Sequence, residues 1–266
     1  MARSYDGTAA NYIRCSVGGC AAAGSGAYTL ISLVKLVQFA GNTGAIALRR
    51  AGTYARYTLI TSDKAFGPGD FSSGFGPVAE GAWIWIVQRK AAGAAHYEFA
   101  YATYPVANPV TDITFGEAPD AANHGDPGAG DEIWLGETDV HGRGDHALHA
   151  LFTSRLTDAA IQSALTTALT DIMALNPAGC WPLNQATTLV PVSDVTNNGA
   201  DEIATVGTVG VSTDPPGYDF NIAPPPAQAI QIYAGPPRTR WRTEQPAQRW
   251  TVGQPDPKWR VGSPHA

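Results

Sequence analysis

The sequence predicts a mostly β protein: an antiparallel β-sandwich with one surface helix and an extended C-terminal tail. Three observations support this fold class. At least eight short segments have strand-like composition, with turn residues between them. Glycine and proline are abundant, at 29 and 20 of 266 residues, which is typical of many strands joined by turns. Only one segment has a clear helical periodicity.

The predicted strands are short runs of aliphatic, aromatic and β-branched residues. The first run, AYTLISLVKLVQF, alternates well enough for a long strand, with Tyr28 and Leu30 on one side and Lys35 tolerated near its end. Glycine-rich turns such as GPGDFSSGFGP separate the later runs. The predicted strands cover residues 27–39, 45–50, 54–61, 82–89, 96–102, 110–115, 132–137 and 146–152.

The predicted helix covers residues 157–175, within RLTDAAIQSALTTALTDIMALNPAG. Thr157 is suited to the N-cap and Asp158 to the first turn, while Pro177 and Gly179 follow the predicted end. A narrow apolar stripe predicts that this helix packs on the outside of the sandwich. The stripe consists of Ile161, Leu165, Ala168, Leu169 and Ile172.

The composition changes after the helix in two steps. Residues 180–212 return to β propensity, and then DPPGYDFNIAPPPAQA brings two proline clusters close together. Proline clusters make a stiff, extended connector, so we place a domain boundary there. The predicted organisation is a sandwich domain at 1–222, a proline-rich linker at 223–230 and a repeat arm at 231–266.

The arm consists of four nine-residue units in register: QIYAGPPRT, RWRTEQPAQ, RWTVGQPDP and KWRVGSPHA. In an extended strand each tryptophan shares a face with the residue two positions later, and cations flank it. An exposed apolar stripe of this kind predicts a docking or oligomerisation arm. The alternative is that the repeat folds back on its own sandwich. The predicted partner-binding residues are Trp241, Trp250, Trp259, Arg240, Arg249, Lys258, Val252 and Val261.

Composition excludes several classes of partner. The formal net charge of −6 argues against nucleic-acid binding by the whole chain. No run of about 18 apolar residues occurs, so we predict no membrane insertion. The N-terminal stretch lacks the apolar region of a signal peptide. Cys15, Cys20 and Cys180 are odd in number and form no CxxC pair, which predicts small buried thiols rather than a disulfide framework or a zinc site.

The order of the segments resembles that of a known family. SGAYTLISLVKL, GAWIWIVQRK and DEIWLGETDVHGRGDHALHALFTSRLTDAAIQS are similar to successive strands of LamG-like (concanavalin A-like) jelly rolls. The stretch at 180–220 and the RW-x-x-G-x-P repeats resemble minor tail and other virion proteins of actinobacterial tailed phages.

This resemblance implies a structural protein of a phage virion, either a minor tail protein or a surface decoration protein. The jelly roll would be displayed outward and anchored by the C-terminal arm. Other phage structural proteins are then the expected partners, and a homo-oligomer such as a trimer is the expected state. The expected location is the virion, and release by lysis would account for the missing signal peptide.

The alternative hypothesis is a carbohydrate-binding module that recognises a glycan receptor on the host surface. Aromatic rings that could stack on a sugar occur in the predicted strands. They are Trp83, Trp85, Tyr97, Tyr101 and Trp134.

A glycan hydrolase is the least favoured hypothesis, and we predict no enzyme. Related hydrolases place acidic residues two and four positions apart on one strand face, whereas Glu132 is followed there by Trp134 and Gly136. Glu137 lies an odd number of residues from Glu132 and is predicted to face the other way.

No metal or other cofactor is predicted. His146 and His149 are three apart in a predicted strand and should face opposite sides, which disfavours a shared metal. Weak calcium candidates occur in the loop DVTNNGAD, where turn formation is the alternative role. They are Asp194, Asn197, Asn198 and Asp201.

Overall fold

A computed structural model describes most of the chain before residue 222. The described residues are 1–6, 11–18, 26–35, 42–50, 53–61, 64–66, 81–113, 115–119, 132–136, 143–185, 187, 191–196, 198–214 and 216–221. All of them belong to the first of the two units into which the chain divides, Met1–Ala223 and Pro224–Ala266. The predicted linker and repeat arm lie outside the described residues, so the predicted domain boundaries stay a prediction.

The described secondary structure is dominated by strands, as predicted. The strands are β1 (Arg3–Asp6), β2 (Tyr12–Ser16), β3 (Tyr28–Lys35), β4 (Asn42–Arg50), β5 (Thr53–Thr61), β6 (Lys64–Phe66), β7 (Trp83–Lys90), β8 (His96–Thr103), β9 (Gly116–Pro119), β10 (Glu132–Leu135), β11 (Arg143–Phe152), β12 (Gly179–Pro182), β13 (Glu202–Val206) and β14 (Gly210–Val211). The helices are α1 (Pro109–Asp112), α2 (Asp158–Ala164) and α3 (Leu169–Met173). Within the described segments, none of the helices has the length and apolar character needed to span a bilayer.

The strands form two sheets in which every described pair of neighbours is antiparallel. The large sheet has the order β14-β1-β11-β3-β7-β8-β9, with β12 also paired to β11. The small sheet has the order β13-β2-β10-β4-β5-β6. Strands that follow each other in the chain often lie in different sheets, which is the pattern of a β-sandwich.

In the described part of the chain, the two largest apolar cores pack these layers together. The inter-sheet core joins side chains of both sheets, including Tyr28 and Leu30 of β3 with Ile13 of β2 and Ile133 of β10. The helix-side core lies on the other face of the large sheet, where Ile31 and Leu33 of β3 pack with α2 and α3. Alternate residues of β3 therefore serve different cores, which explains why nearly the whole strand is buried. The predicted β-sandwich with helical structure on one face is confirmed.

The predicted single helix is wrong in one respect, because the structure divides it into α2 and α3. Thr157 caps α2 as predicted, its hydroxyl accepting from the backbone N–H of Ala160 at 3.2 Å. Between the helices, Leu169 N–H donates to Asp219 O at 2.8 Å and Asp219 N–H donates to Thr167 O at 2.7 Å. Pairing with the 219 segment takes the backbone groups that a continuous helix would use, so tertiary contact overrides the periodicity.

The strand predicted at residues 110–115 is also wrong. The structure places the short helix α1 at Pro109–Asp112. Asn108 is its N-cap and accepts from Val110 N–H at 3.3 Å, while Pro109 opens the first turn. An Asn-Pro start of this kind suits a helical turn and outweighs the β propensity of the residues that follow.

Candidate functional site

A polar and aromatic cluster lies on the outer face of the small sheet. In β2, Ile13 and Cys15 belong to the inter-sheet core, so Tyr12 and Arg14 point the other way. In β10, Ile133 and Leu135 point inward, so Glu132 and Trp134 point outward. The register sets Trp134 opposite Arg14. We call Tyr12, Arg14, Glu132 and Trp134 the outer-face cluster.

Hydrogen bonds and ring contact join the members of the outer-face cluster. The rings of Tyr12 and Trp134 stack with centroids 4.0 Å apart at an interplanar angle of 23°. Glu132 Oε2 accepts from Trp134 Nε1 at 2.8 Å and from Arg14 Nε at 2.9 Å. Arg14 Nη2 donates to Glu132 Oε1, which completes a bidentate ion pair. The hydrogen bond to Glu132 raises the pKa of Arg14.

The members of the outer-face cluster differ in solvent exposure: the two aromatic rings are mostly covered, and the two charged side chains are partly exposed. Tyr12 and Trp134 are only 9% and 8% exposed, so the rings form an apolar floor. The side chains of Arg14 and Glu132 are 35% and 25% exposed. Arg14 uses Nε and Nη2 to bind Glu132, which leaves further guanidinium N–H groups on a partly exposed side chain. The cluster therefore offers partly exposed, charged hydrogen-bonding groups beside two aromatic rings that are mostly covered.

The strand β4 pairs with β10 in the small sheet. Its register sets Arg49 opposite Glu132 and Ala47 opposite Trp134. The next pair in β5 sets Tyr57 opposite Ala47. Charged and aromatic residue types thus recur at adjacent register positions across three strands.

The structure separates the aromatic residues predicted to stack on sugars. Trp85 and Tyr97 are fully buried, and Trp83 is buried with its Nε1 donating to Asp214 O at 3.2 Å. Tyr101 is half-buried on β8. Trp134 alone among these five joins the outer-face cluster. Sequence reasoning missed Tyr12 and Arg14, although the alternation of YIRCSV is a strand signal that would have found them.

The prediction that His146 and His149 face opposite sides is wrong. A β-bulge in β11, between His146 and Leu148, adds one residue to the alternation. Both imidazoles therefore enter the inter-sheet core, with His146 Nδ1 and His149 Nε2 3.2 Å apart. His149 Nδ1 is also 2.8 Å from Ser32 Oγ. Burial lowers the pKa of His146 to about 3 and that of His149 well below its usual value.

This histidine arrangement is unsuited to nucleophilic catalysis. Ser32 and His149 have the contact that a nucleophile and its base require, but they are 1% and 0% exposed. Glu132, the carboxylate weighed for hydrolysis, is held by Arg14 and Trp134. Glu137 lies outside the described residues.

The calcium candidates serve as turn formers where the structure describes them. Asp194 Oδ1 accepts from Cys180 N–H at 2.9 Å and Thr196 N–H at 3.0 Å, and Asp201 Oδ1 accepts from Asp194 N–H at 2.9 Å. Asn198 Nδ2 donates to Ala178 O at 2.8 Å. Asn197 lies outside the described residues. In the described part of the chain, no group of three or more His, Cys, Asp or Glu side chains is arranged to hold a metal ion.

The cysteines agree with the sequence analysis where they are described. Cys15 and Cys180 are buried thiols outside any disulfide, and Cys20 lies outside the described residues. Burial, together with nearby Asp194, raises the pKa of the Cys180 thiol. The predicted partner-binding residues from Arg240 to Val261 also lie outside the described residues.

No protein-family model matches this chain. No curated protein matches it either. Among solved structures, the heptameric SAP-like pentraxin of Limulus polyphemus is similar at a TM-score of 0.42 and 9% identity, over 62% of this chain and 82% of that one. The Ruminococcus gnavus IT-sialidase CBM40 bound to α2,3-sialyllactose has a TM-score of 0.41 and 10% identity, over 62% and 97% of the two chains. Mouse laminin α1 domains LG4-5 have a TM-score of 0.37 and 12% identity, over 56% and 40%.

Proposed function

We propose that this protein is a non-enzymatic carbohydrate-binding module whose ligand site is the outer-face cluster. The observation that carries the proposal is a partly exposed Arg14–Glu132 pair fixed beside the stacked rings of Tyr12 and Trp134. Sugars present hydroxyl groups and apolar C–H edges together. A fixed guanidinium and carboxylate suit the hydroxyls, and the aromatic floor suits the C–H edges.

A purely structural ion pair is the competing explanation. Cross-strand pairs on a sheet surface typically contribute about 0.2–1 kcal/mol, and such a pair requires no ligand. The indole N–H of Trp134 favours a binding role, because it holds the carboxylate of Glu132 in place whether or not Arg14 moves to a ligand. Preformed polar groups lower the ordering cost of binding, which is what a recognition surface needs.

Replacing Arg14 by alanine should abolish saccharide binding or weaken it at least tenfold, because charge-assisted hydrogen bonds typically contribute about 1.5–3 kcal/mol. The test is a glycan array on the full chain, followed by titration calorimetry with the strongest saccharide. Arg155→Ala is the matched control: Arg155 is also bidentate to a glutamate, Glu98, and is 36% exposed, but β8 of the large sheet carries its partner. The control should bind as the wild type does. Equal binding by both variants, or no binding to any saccharide, would contradict the proposal.

A second function is favoured by the repeat arm: structural attachment to a phage virion. Its support is the nine-residue register of Trp241, Trp250 and Trp259 together with the resemblance of the repeats to virion proteins. The two functions are compatible, because a tail or surface decoration protein that binds host glycan performs both. In this proposal the virion is the location, and phage structural proteins or copies of this chain are the partners.

Truncation after residue 224 should leave a folded sandwich that no longer oligomerises or joins particles. Each buried aromatic typically contributes about 2–3 kcal/mol, so loss of three would remove the attachment. Sedimentation velocity measures the oligomeric state, and Trp250→Ala should weaken association without lowering the melting temperature of the sandwich. A truncated chain that assembles as well as the full chain would contradict the docking arm.

A further inference from the structure

Two histidine side chains are packed between the sheets with few polar partners. His146 and His149 are 1% and 0% exposed. Their polar contacts form a short line: Ser32 Oγ to His149 Nδ1 at 2.8 Å, then His149 Nε2 to His146 Nδ1 at 3.2 Å. The ring of Tyr5 lies against His146 with centroids 4.6 Å apart.

The hydrogen bonds of this line can all form when both imidazole rings are neutral. One N–H between the imidazoles satisfies that contact, and the serine hydroxyl can donate or accept at the other end. Protonation of both rings would set two N–H groups against each other at the 3.2 Å contact. A single added proton would leave a buried charge, which is costly without an opposite partner.

The charged and titratable groups around the pair supply no such partner in the described residues. From β1, the buried Arg3 lies opposite His146 in the register, and from β2 the buried thiol of Cys15 lies near Tyr5. Two acidic groups lie nearby but are engaged elsewhere. Asp145 of β11 accepts from Ser212 Oγ at 2.6 Å, and Glu202 of β13 accepts from Val192 N–H and Thr205 Oγ1.

The same packing connects the pair to β10, one of the two strands that carry the outer-face cluster. Gly136 directly follows β10 and lies two residues beyond Trp134. A Cβ atom on Gly136 would be 2.2 Å from Tyr5 Cε1, so the two residues are in close contact. His146, Tyr5 and Gly136 thus form a continuous chain of contacts from the histidine pair to β10.

We propose that His146 and His149 form an acid switch, in which proton uptake by the two imidazoles opens the packing of β1 and β11 against β10. Opening loosens Glu132 and Trp134 and so releases a ligand from the outer-face cluster. The release of ligand rests on the proposed function, whereas the opening does not.

The pH window follows from the direction of the shifts. Both histidines have a lowered pKa in the closed protein, to about 3 for His146, whereas an imidazole in the open protein has a pKa of about 6.5. The open state therefore binds more protons below pH 6.5, and the closed state loses stability as the pH falls. Carboxylates of ordinary pKa titrate at about 4, which is inside this window but below an interval from pH 7 to pH 5.

Hydrogen exchange of the full chain without ligand, at pH 7 and pH 5, tests the switch. After correction for intrinsic exchange, the opening constant of amides in β1, β10 and β11 should rise by about 25-fold if one imidazole takes up a proton and about 600-fold if both do. The double variant His146→Asn, His149→Gln should change by less than about twofold, while His96→Gln, at an exposed position of β8, should respond like the wild type.

Should the double variant fail to fold, the wild-type response alone tests the switch, because the size of its pH dependence gives the number of protons taken up on opening. Unchanged opening in wild type, or an equal rise in a folded double variant, would overturn the switch. Acid-dependent opening in a protein that binds no saccharide would support the switch and overturn the proposed function alone. Acid-dependent opening with a saccharide affinity that is equal at pH 7 and pH 5 would overturn the release of ligand.

Discussion

Replacing Arg89 with alanine should lower the free energy of unfolding by about 3–5 kcal/mol, the typical result of removing one partner of a buried ion pair. Arg89 is 1% exposed on β7. Its guanidinium donates to both carboxylate oxygens of Glu98, at 2.9 and 3.1 Å, and to Asp158 Oδ1 at 2.5 Å. A further N–H donates to Leu156 O at 2.8 Å, and the guanidinium carbon lies 3.6 Å from the centroid of the Phe115 ring.

The hydrogen bonds of Arg89 to Leu156 and Asp158 hold the start of α2 against the large sheet. Their loss should therefore also expose the helix-side core. Burial alone would raise the pKa of Glu98, but hydrogen bonds from Arg155 and Arg89 outweigh it and the net shift is downward. Urea unfolding at pH 7 measures the effect. Arg155→Ala removes the second arginine on Glu98 from a 36% exposed position and should cost about 1 kcal/mol or less. Similar losses in the two variants would contradict the role assigned to Arg89.

The fold class was predictable because most strands have one or both faces in a core. In β7, Trp85 and Val87 enter the helix-side core, and WIWIV is apolar throughout as expected for a strand buried on both faces. The short strand β1 was missed, since its partners lie far away in the sequence: Arg3 pairs with Val211 on one side and His146 on the other. No local pattern encodes such pairings.

The errors at the sites have specific physical causes. The regular alternation of side chains in a strand predicted His146 and His149 on opposite faces. A single β-bulge shifts this alternation and places His146 on the same face as His149. Gly144, with φ of 99°, lies just before the bulge, and a glycine inside a strand pattern is the signal that could have indicated it. Trp134 was predicted as a binding aromatic, but its partners Tyr12 and Arg14 come from β2, more than a hundred positions away. Only the register of β2 against β10 brings them together.

Replacing Gly136 with alanine should lower the free energy of unfolding by about 2–5 kcal/mol. Gly136 has φ of 90°, a conformation that costs other residues about 1–2 kcal/mol. The added Cβ would also lie 2.2 Å from Cε1 and 2.5 Å from Cζ of Tyr5. Tyr5 is 2% exposed inside the inter-sheet core, so its ring has little room to move, and overpacking typically costs a further 1–3 kcal/mol or so.

Gly93→Ala separates the two contributions. Gly93 also has a positive φ, 68°, but a Cβ there would meet nothing within 4 Å. The control should therefore cost only the backbone term, about 1–2 kcal/mol. In a Tyr5→Ala background, the loss of unfolding free energy caused by Gly136→Ala should fall to the same value, because the clash with the Tyr5 ring is absent. The coupling energy of this double-mutant cycle reports the Tyr5 contact directly. If Gly136→Ala lowers the free energy of unfolding as little as Gly93→Ala in the wild-type background, Tyr5 is not tightly packed against Gly136. The chain of contacts from the histidine pair to the outer-face cluster would then be contradicted.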